Sequence, residues 1–182
     1  MSPRQPRYWP LPGHERVLPR TRAPGSFLEN RGDRWHGGVD LYAPPGSPVV
    51  AIEEGRVLSA GVFTSPDLVP YWNRTFEVTI AHASGVFCRY AELGDLAVGD
   101  GERVGGGQLV GHVGEVLALA NIGPDAPPYI RSLKEQGHAS MLHLEVYPAP
   151  PGHPPVYRGG NWFTGKPPAH LLDPALVLLD TL

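Results

Sequence analysis

From residue 39 onward, short apolar runs alternate with turn residues. "SPVVAI" (47–52) and "GRVLSAGVF" (55–63) are parted by "EEG". "TFEVTIAH" (75–82) passes through "ASG" into "VFCRYAEL" (86–93), which predicts a hairpin. In "ASMLHLEVYP" (139–148) Met141, His143 and Glu145 alternate with Leu142, Leu144 and Val146. That period of two predicts a strand with one polar face, where Glu145 stands either exposed or behind His143. The segment 115–138 breaks the pattern, and its proline-rich middle reads as a long insertion with one helical turn around "YIRSLKEQ". Residues 1–30 form an irregular Pro/Arg-rich arm, and a Pro-rich extension follows residue 147. The expected architecture is one all-β, mainly antiparallel domain at 31–182, with irregular arms at both ends.

Composition narrows this reading. The 23 glycines and 22 prolines are spread as punctuation and show no repeat, which fits a turn-rich β domain. A net charge of −3 excludes a general affinity for nucleic acid, and no apolar run is long enough to span a membrane. Cys88 is the sole cysteine, so neither a disulfide framework nor an all-cysteine metal site can form. The start has no apolar leader segment, so the expectation is a cytoplasmic protein as written, or an extracytoplasmic one whose true start lies upstream.

"HGGVDLYAPPGSPVVAIEEGRV" sets His36 and Asp40 four residues apart, and His143 lies far downstream. Zinc accepts imidazole nitrogen and carboxylate oxygen, and a catalytic site combines three such ligands with one open position. Spacing alone is weak evidence, and by it the trio reads more readily as a turn histidine, an aspartate on backbone amides and a half-exposed strand histidine.

The ordered series "HGGVDLYAPPGSPVVAIEEGRV", "VTIAHASGVFCRYAELGDLAVGDGERVGGGQLVGHVG" and "MLHLEV" resembles the M23 zinc metallopeptidases, the lysostaphin-like or LytM-like group that cuts peptidoglycan cross-links. The likeness spans roughly residues 34–147, plus Asp173-Pro174. It implies a β-sandwich-type sheet with a groove over one Zn2+, and His36, Asp40 and His143 as its ligands. It also implies a peptide or peptidoglycan fragment as ligand. Degenerate members act as activators, which implies a protein partner such as an amidase.

Active members carry two further histidines, and this chain replaces both. Met141 stands at the first position of the His-x-His pair, and Glu92 stands where "YxHL" is expected. A general base is worth roughly 10²–10⁴-fold, and an oxyanion donor about 10²–10³-fold. The expectation is therefore a zinc-binding domain with impaired or absent peptidase activity. Glu92 or His138 would be a substitute base in an active enzyme, and Glu92 could instead close the site as a fourth ligand. A regulatory binding module is the other class. A biotinyl- or lipoyl-type carrier is excluded, since neither Lys134 nor Lys166 sits at a hairpin tip. No residue is assigned to substrate binding.

Overall fold

The computed structural model describes residues 6–163, 165–166 and 168–181. The first five residues of the arm and Leu182 of the closing segment lie outside this description. The strands are β1 (Trp35–His36), β2 (Val39–Tyr42), β3 (Pro48–Val50), β4 (Gly55–Thr64), β5 (Thr75–His82) and β6 (Phe87–Leu96). They continue with β7 (Arg103–Val104), β8 (Leu109–Glu115), β9 (Ser140–Tyr147), β10 (Tyr157–Arg158) and β11 (Asn161–Trp162). Helix α1 (Pro128–Gln136) lies in the insertion, and α2 (Ala175–Leu178) near the end. Among the described residues, no helix is long and apolar enough to cross a membrane.

One curled antiparallel sheet runs β2-β9-β8-β6-β5-β4-β7, with β3 on β8 and a second contact between β9 and β6. A smaller sheet, β1-β11-β10, lies beside it. The β5–β6 hairpin forms as its alternating pattern predicts, pairing Val78 with Tyr90 and Ile80 with Cys88. Val78, Ile80, Tyr90, Leu142 and Leu144 are fully buried in the main core.

The described part of the arm, residues 6–30, has no helix or strand, yet it is part of the core. Trp9 and Leu11 are buried, and Val50 donates its N–H to the Pro10 carbonyl. Arg7 ties the arm to Glu53 and Asp180 at 2.6 and 2.5 Å. The insertion builds a second apolar cluster, in which Trp72, Ile130 and Leu133 surround Met141.

The structure decides between the two readings of Glu145. The polar face of β9 is not a solvated face, because residues 141–147 are all buried. Glu145 is 0% exposed. The Pro-rich extension folds back as β10 and β11, and its Tyr157 and Gly160 pack against Glu145 and His143. Strand periodicity assigns residues to faces, but only tertiary structure decides whether a second layer covers one.

Candidate metal centre

Antiparallel pairing of β2 with β9 places Asp40 directly opposite His143. His36 arrives from β1 across a two-glycine turn. A Cβ at Gly38 would lie 2.2 Å from the Leu144 carbonyl oxygen, so only glycine lets β2 approach β9 there. Gly160, at φ +76°, passes so close to His143 that a Cβ would lie 2.6 Å from Nε2.

The outcome is a triangle of donor atoms. His36 Nε2 lies 3.0 Å from Asp40 Oδ1 and 3.0 Å from His143 Nδ1, and His143 Nδ1 lies 2.9 Å from Asp40 Oδ1. All three residues are buried. Tetrahedral zinc with bonds near 2.0–2.1 Å separates its donors by about 3.3 Å. Each atom would therefore move outward by only roughly 0.2 Å to accept it.

Each of the three residues is held from behind. His36 Nδ1–H donates to the Ser26 carbonyl at 2.8 Å, which leaves Nε2 as the free nitrogen. Arg31 donates to Asp40 Oδ2 at 3.0 Å. His143 Nε2–H donates to Glu145 Oε1 at 3.0 Å, which turns Nδ1 toward the triangle. This outer set fixes ring orientation, as metal-ligating histidines require. The residues fit the ion in donor type, spacing and orientation.

Charge follows the same geometry. Burial lowers the His36 pKa, with Arg31 adding to the effect, so this ring stays neutral. Burial also opposes charge on His143, but hydrogen bonds to Asp40 and Glu145 outweigh it and raise its pKa to about 10. Without a metal, His143 is the cation between two carboxylates. Burial opposes ionisation of Asp40 too, yet its histidine neighbours and Arg31 hold it well below the usual range.

The remaining wall is different. Glu92 is skipped in the β5–β6 ladder, where Phe76 pairs with Leu93 and Glu77 with Ala91. It is the extra residue of a β-bulge, held at φ +64°. Bulges re-aim side chains, and a left-handed backbone at a non-glycine residue stores strain. Glu92 is buried, and its Oε2 has no hydrogen-bond partner. Burial, then the negative charge of Asp40, push its pKa up to about 8. It lines one small pocket with Asp40, His143 and Met141, whose free volume of about 20 Å³ holds about one water. Glu92 lies outside the group of donor atoms within 4.8 Å of one another. That spacing suits a neighbour of the fourth position better than a fourth ligand.

His138 stacks on Tyr42, with ring centroids 4.1 Å apart, and does not line this pocket. Met141 lies opposite Tyr42 in the β2–β9 ladder, packed in the insertion's apolar cluster. The insertion and the tail complete the walls with Tyr129, Ile130, Leu133, Gly159 and Asn161. Tyr129 is gripped by two arginines, Arg31 4.8 Å and Arg34 5.4 Å from its ring centroid.

Sequence reading passed over Ser26, Arg31, Arg89, Tyr157 and Asn161. Arg89 carried a signal: a lone cation inside the apolar run "VFCRYAEL" demands a buried carboxylate partner. Arg31 and Asn161 carried none, since they reach the site by folding of irregular segments.

No curated protein matches this chain. Among solved structures, lysostaphin from Staphylococcus simulans is 19% identical with a TM-score of 0.55, and the alignment covers 97% of this chain and 54% of lysostaphin. The SpoIIQ-SpoIIIAH pore forming complex holds a chain 17% identical with a TM-score of 0.51, covering 95% of this chain and 90% of that one. Helicobacter pylori Csd3 is 25% identical over 79% of this chain, which spans only 30% of Csd3, with a TM-score of 0.47. The first two likenesses show the same fold. The family model for peptidase family M23 matches residues 34–125, just over half of the 182 residues, and the chain therefore belongs to peptidase family M23.

Proposed function

We propose that this domain holds one Zn2+ through His36 Nε2, Asp40 Oδ1 and His143 Nδ1, and that its ordinary peptidase mechanism is impaired. The observation that carries the reading is the buried donor triangle, each ligand of which is oriented from behind. When bound, zinc supplies a Lewis acid and lowers the pKa of a coordinated water.

The chain's own residues limit the chemistry. Met141 has no proton to donate and accepts hydrogen bonds only weakly, so it gives a developing oxyanion no support. Glu92 keeps an unpartnered carboxylate oxygen beside the triangle, in the same small pocket as Asp40 and His143, where it can accept a proton. It is therefore the better substitute base than His138. Asp40 and Glu145 hold negative charge on either side of His143, and the apolar cluster around Met141 limits water. The relationship to M23 peptidases supports a short peptide or peptidoglycan fragment as ligand.

A second reading rests on the enclosure. The insertion and the tail wall the pocket down to about one water's volume. That favours a regulatory module binding peptidoglycan or a protein partner, such as an amidase, over an open-grooved enzyme.

The test is elemental analysis of purified wild type, His36→Ala and His143→Ala, followed by cleavage assays on glycine-containing muropeptides. Stoichiometric zinc in wild type, lost in both variants, supports the site. Wild type without zinc sinks it. Cleavage abolished by Glu92→Gln supports the enzyme, and intact peptide retained on the zinc-loaded protein supports the binding module.

A further inference from the structure

We propose that Glu145, anchored by Arg89, Tyr147 and Tyr157, is a positioning residue that sets the tautomer and orientation of His143 and so governs metal affinity. This rests on the zinc reading above.

Both oxygens of Glu145 are fully used. Oε1 accepts His143 Nε2–H at 3.0 Å and the Tyr157 hydroxyl at 2.7 Å. Oε2 accepts Arg89 at 2.7 Å and the Tyr147 hydroxyl at 2.5 Å. Glu145 and Arg89 are each 0% exposed. With four donors, one of them a guanidinium, this carboxylate acts only as an acceptor. The neutral imidazole beside it must then carry its proton on Nε2, which leaves the Nδ1 lone pair facing the triangle. The opposite tautomer would set an N–H against an incoming cation and leave a carboxylate oxygen short of a donor. The backbone removes the space for the ring to turn. A Cβ at Gly160 would sit 2.6 Å from His143 Nε2, and one at Gly37 would sit 2.9 Å from Glu145 Oε1.

Stability alone does not explain this cluster. A buried Arg–Glu pair is weak support for a fold, and apolar residues of similar volume often replace one without loss. Here the pair ends on a candidate metal ligand. A carboxylate behind an imidazole also makes the ring a stronger donor, and such outer partners are typically worth 10–100-fold in metal affinity.

The experiment is a Zn2+ competition titration against a chromophoric chelator, using the full chain as wild type, Glu145→Gln and Glu145→Ala. Circular dichroism melts of the metal-free proteins run in parallel. The expected order is wild type tightest, then Glu145→Gln, which keeps an acceptor without charge, then Glu145→Ala, weaker by about 10–100-fold. A second readout serves if Glu145→Ala does not fold. In the zinc-loaded protein, the His143 Nε2–H proton should appear far downfield in a ¹H–¹⁵N spectrum and move upfield in Glu145→Gln. Folded variants that bind zinc within about threefold of wild type, with that resonance unmoved in Glu145→Gln, would overturn the positioning role alone. Wild type that binds no zinc would instead overturn the site itself.

Discussion

Two walls of one pocket follow opposite rules. On the ligand wall the outer atoms of His36, Asp40 and His143 all have partners, from Ser26, Arg31 and Glu145. Beside it, Glu92 has an oxygen without a partner on a backbone at φ +64°, and Met141 has no proton to donate. Polar groups buried in low dielectric are satisfied unless something else uses them. The difference teaches that, under the proposed reading, holding a cation and moving protons fall to separate residues. One can be kept while the other changes.

The strongest way to break the comparison is to rebuild the second wall. The double variant Glu92→His/Met141→His should raise muropeptide cleavage by roughly 10²–10⁴-fold over wild type, measured with equal zinc loading. A wild type that already cleaves at the rate of the double variant would show that the two walls are not functionally distinct.

The next largest effect attacks the first wall. Asp40→Ala should abolish zinc retention in elemental analysis. It also removes one of the two carboxylate partners of partly buried Arg31, which keeps Glu29, so urea melts should show about 1–3 kcal/mol of destabilisation. Zinc retained by a folded Asp40→Ala protein would remove Asp40 from the ligand set.

The third concerns pH. Glu92 is neutral in the metal-free fold up to about pH 8, against an ordinary value of 4.5. A pKa raised on folding gives stability that is fully present below the unfolded value and is lost as pH rises through the folded one. Metal-free wild type should therefore lose on the order of a few kcal/mol between pH 4.5 and 8 relative to Glu92→Gln. His143, raised to about 10, adds a loss that continues above pH 8 in both proteins. Urea melts at pH 5 and 8 in chelator check this, and parallel pH profiles would show Glu92 to be ionised in the fold.

The smallest effect is the sharpest control. Met141→Leu conserves volume within an apolar cluster, so it should cost less than about 1.5 kcal/mol and leave zinc content and cleavage unchanged. A marked loss of either would give Met141 a role beyond packing.

Much of the site was readable in the chain. "HGGVD" and "MLHLE" carry the three residues that converge, and the glycines of the first mark where strands approach closely. The strands themselves follow from alternation, as in "TFEVTIAH". What could not be read was who stands behind the ligands. Arg31 comes from a segment without periodicity and Gly160 from a Pro-rich tail, and neither position has a local signature. The burial of β9 depends on that tail folding over it. The bulge at Glu92 is equally hidden, since it is fixed by pairing register with β5 and not by the preference of a glutamate for φ > 0.

Arg31 holds two things at once: it donates to Asp40 and lies over the ring of Tyr129 on α1. The cover of the pocket and one candidate donor thus share a single guanidinium. A change at Tyr129 would therefore disturb the support behind Asp40 as well as the cover of the pocket.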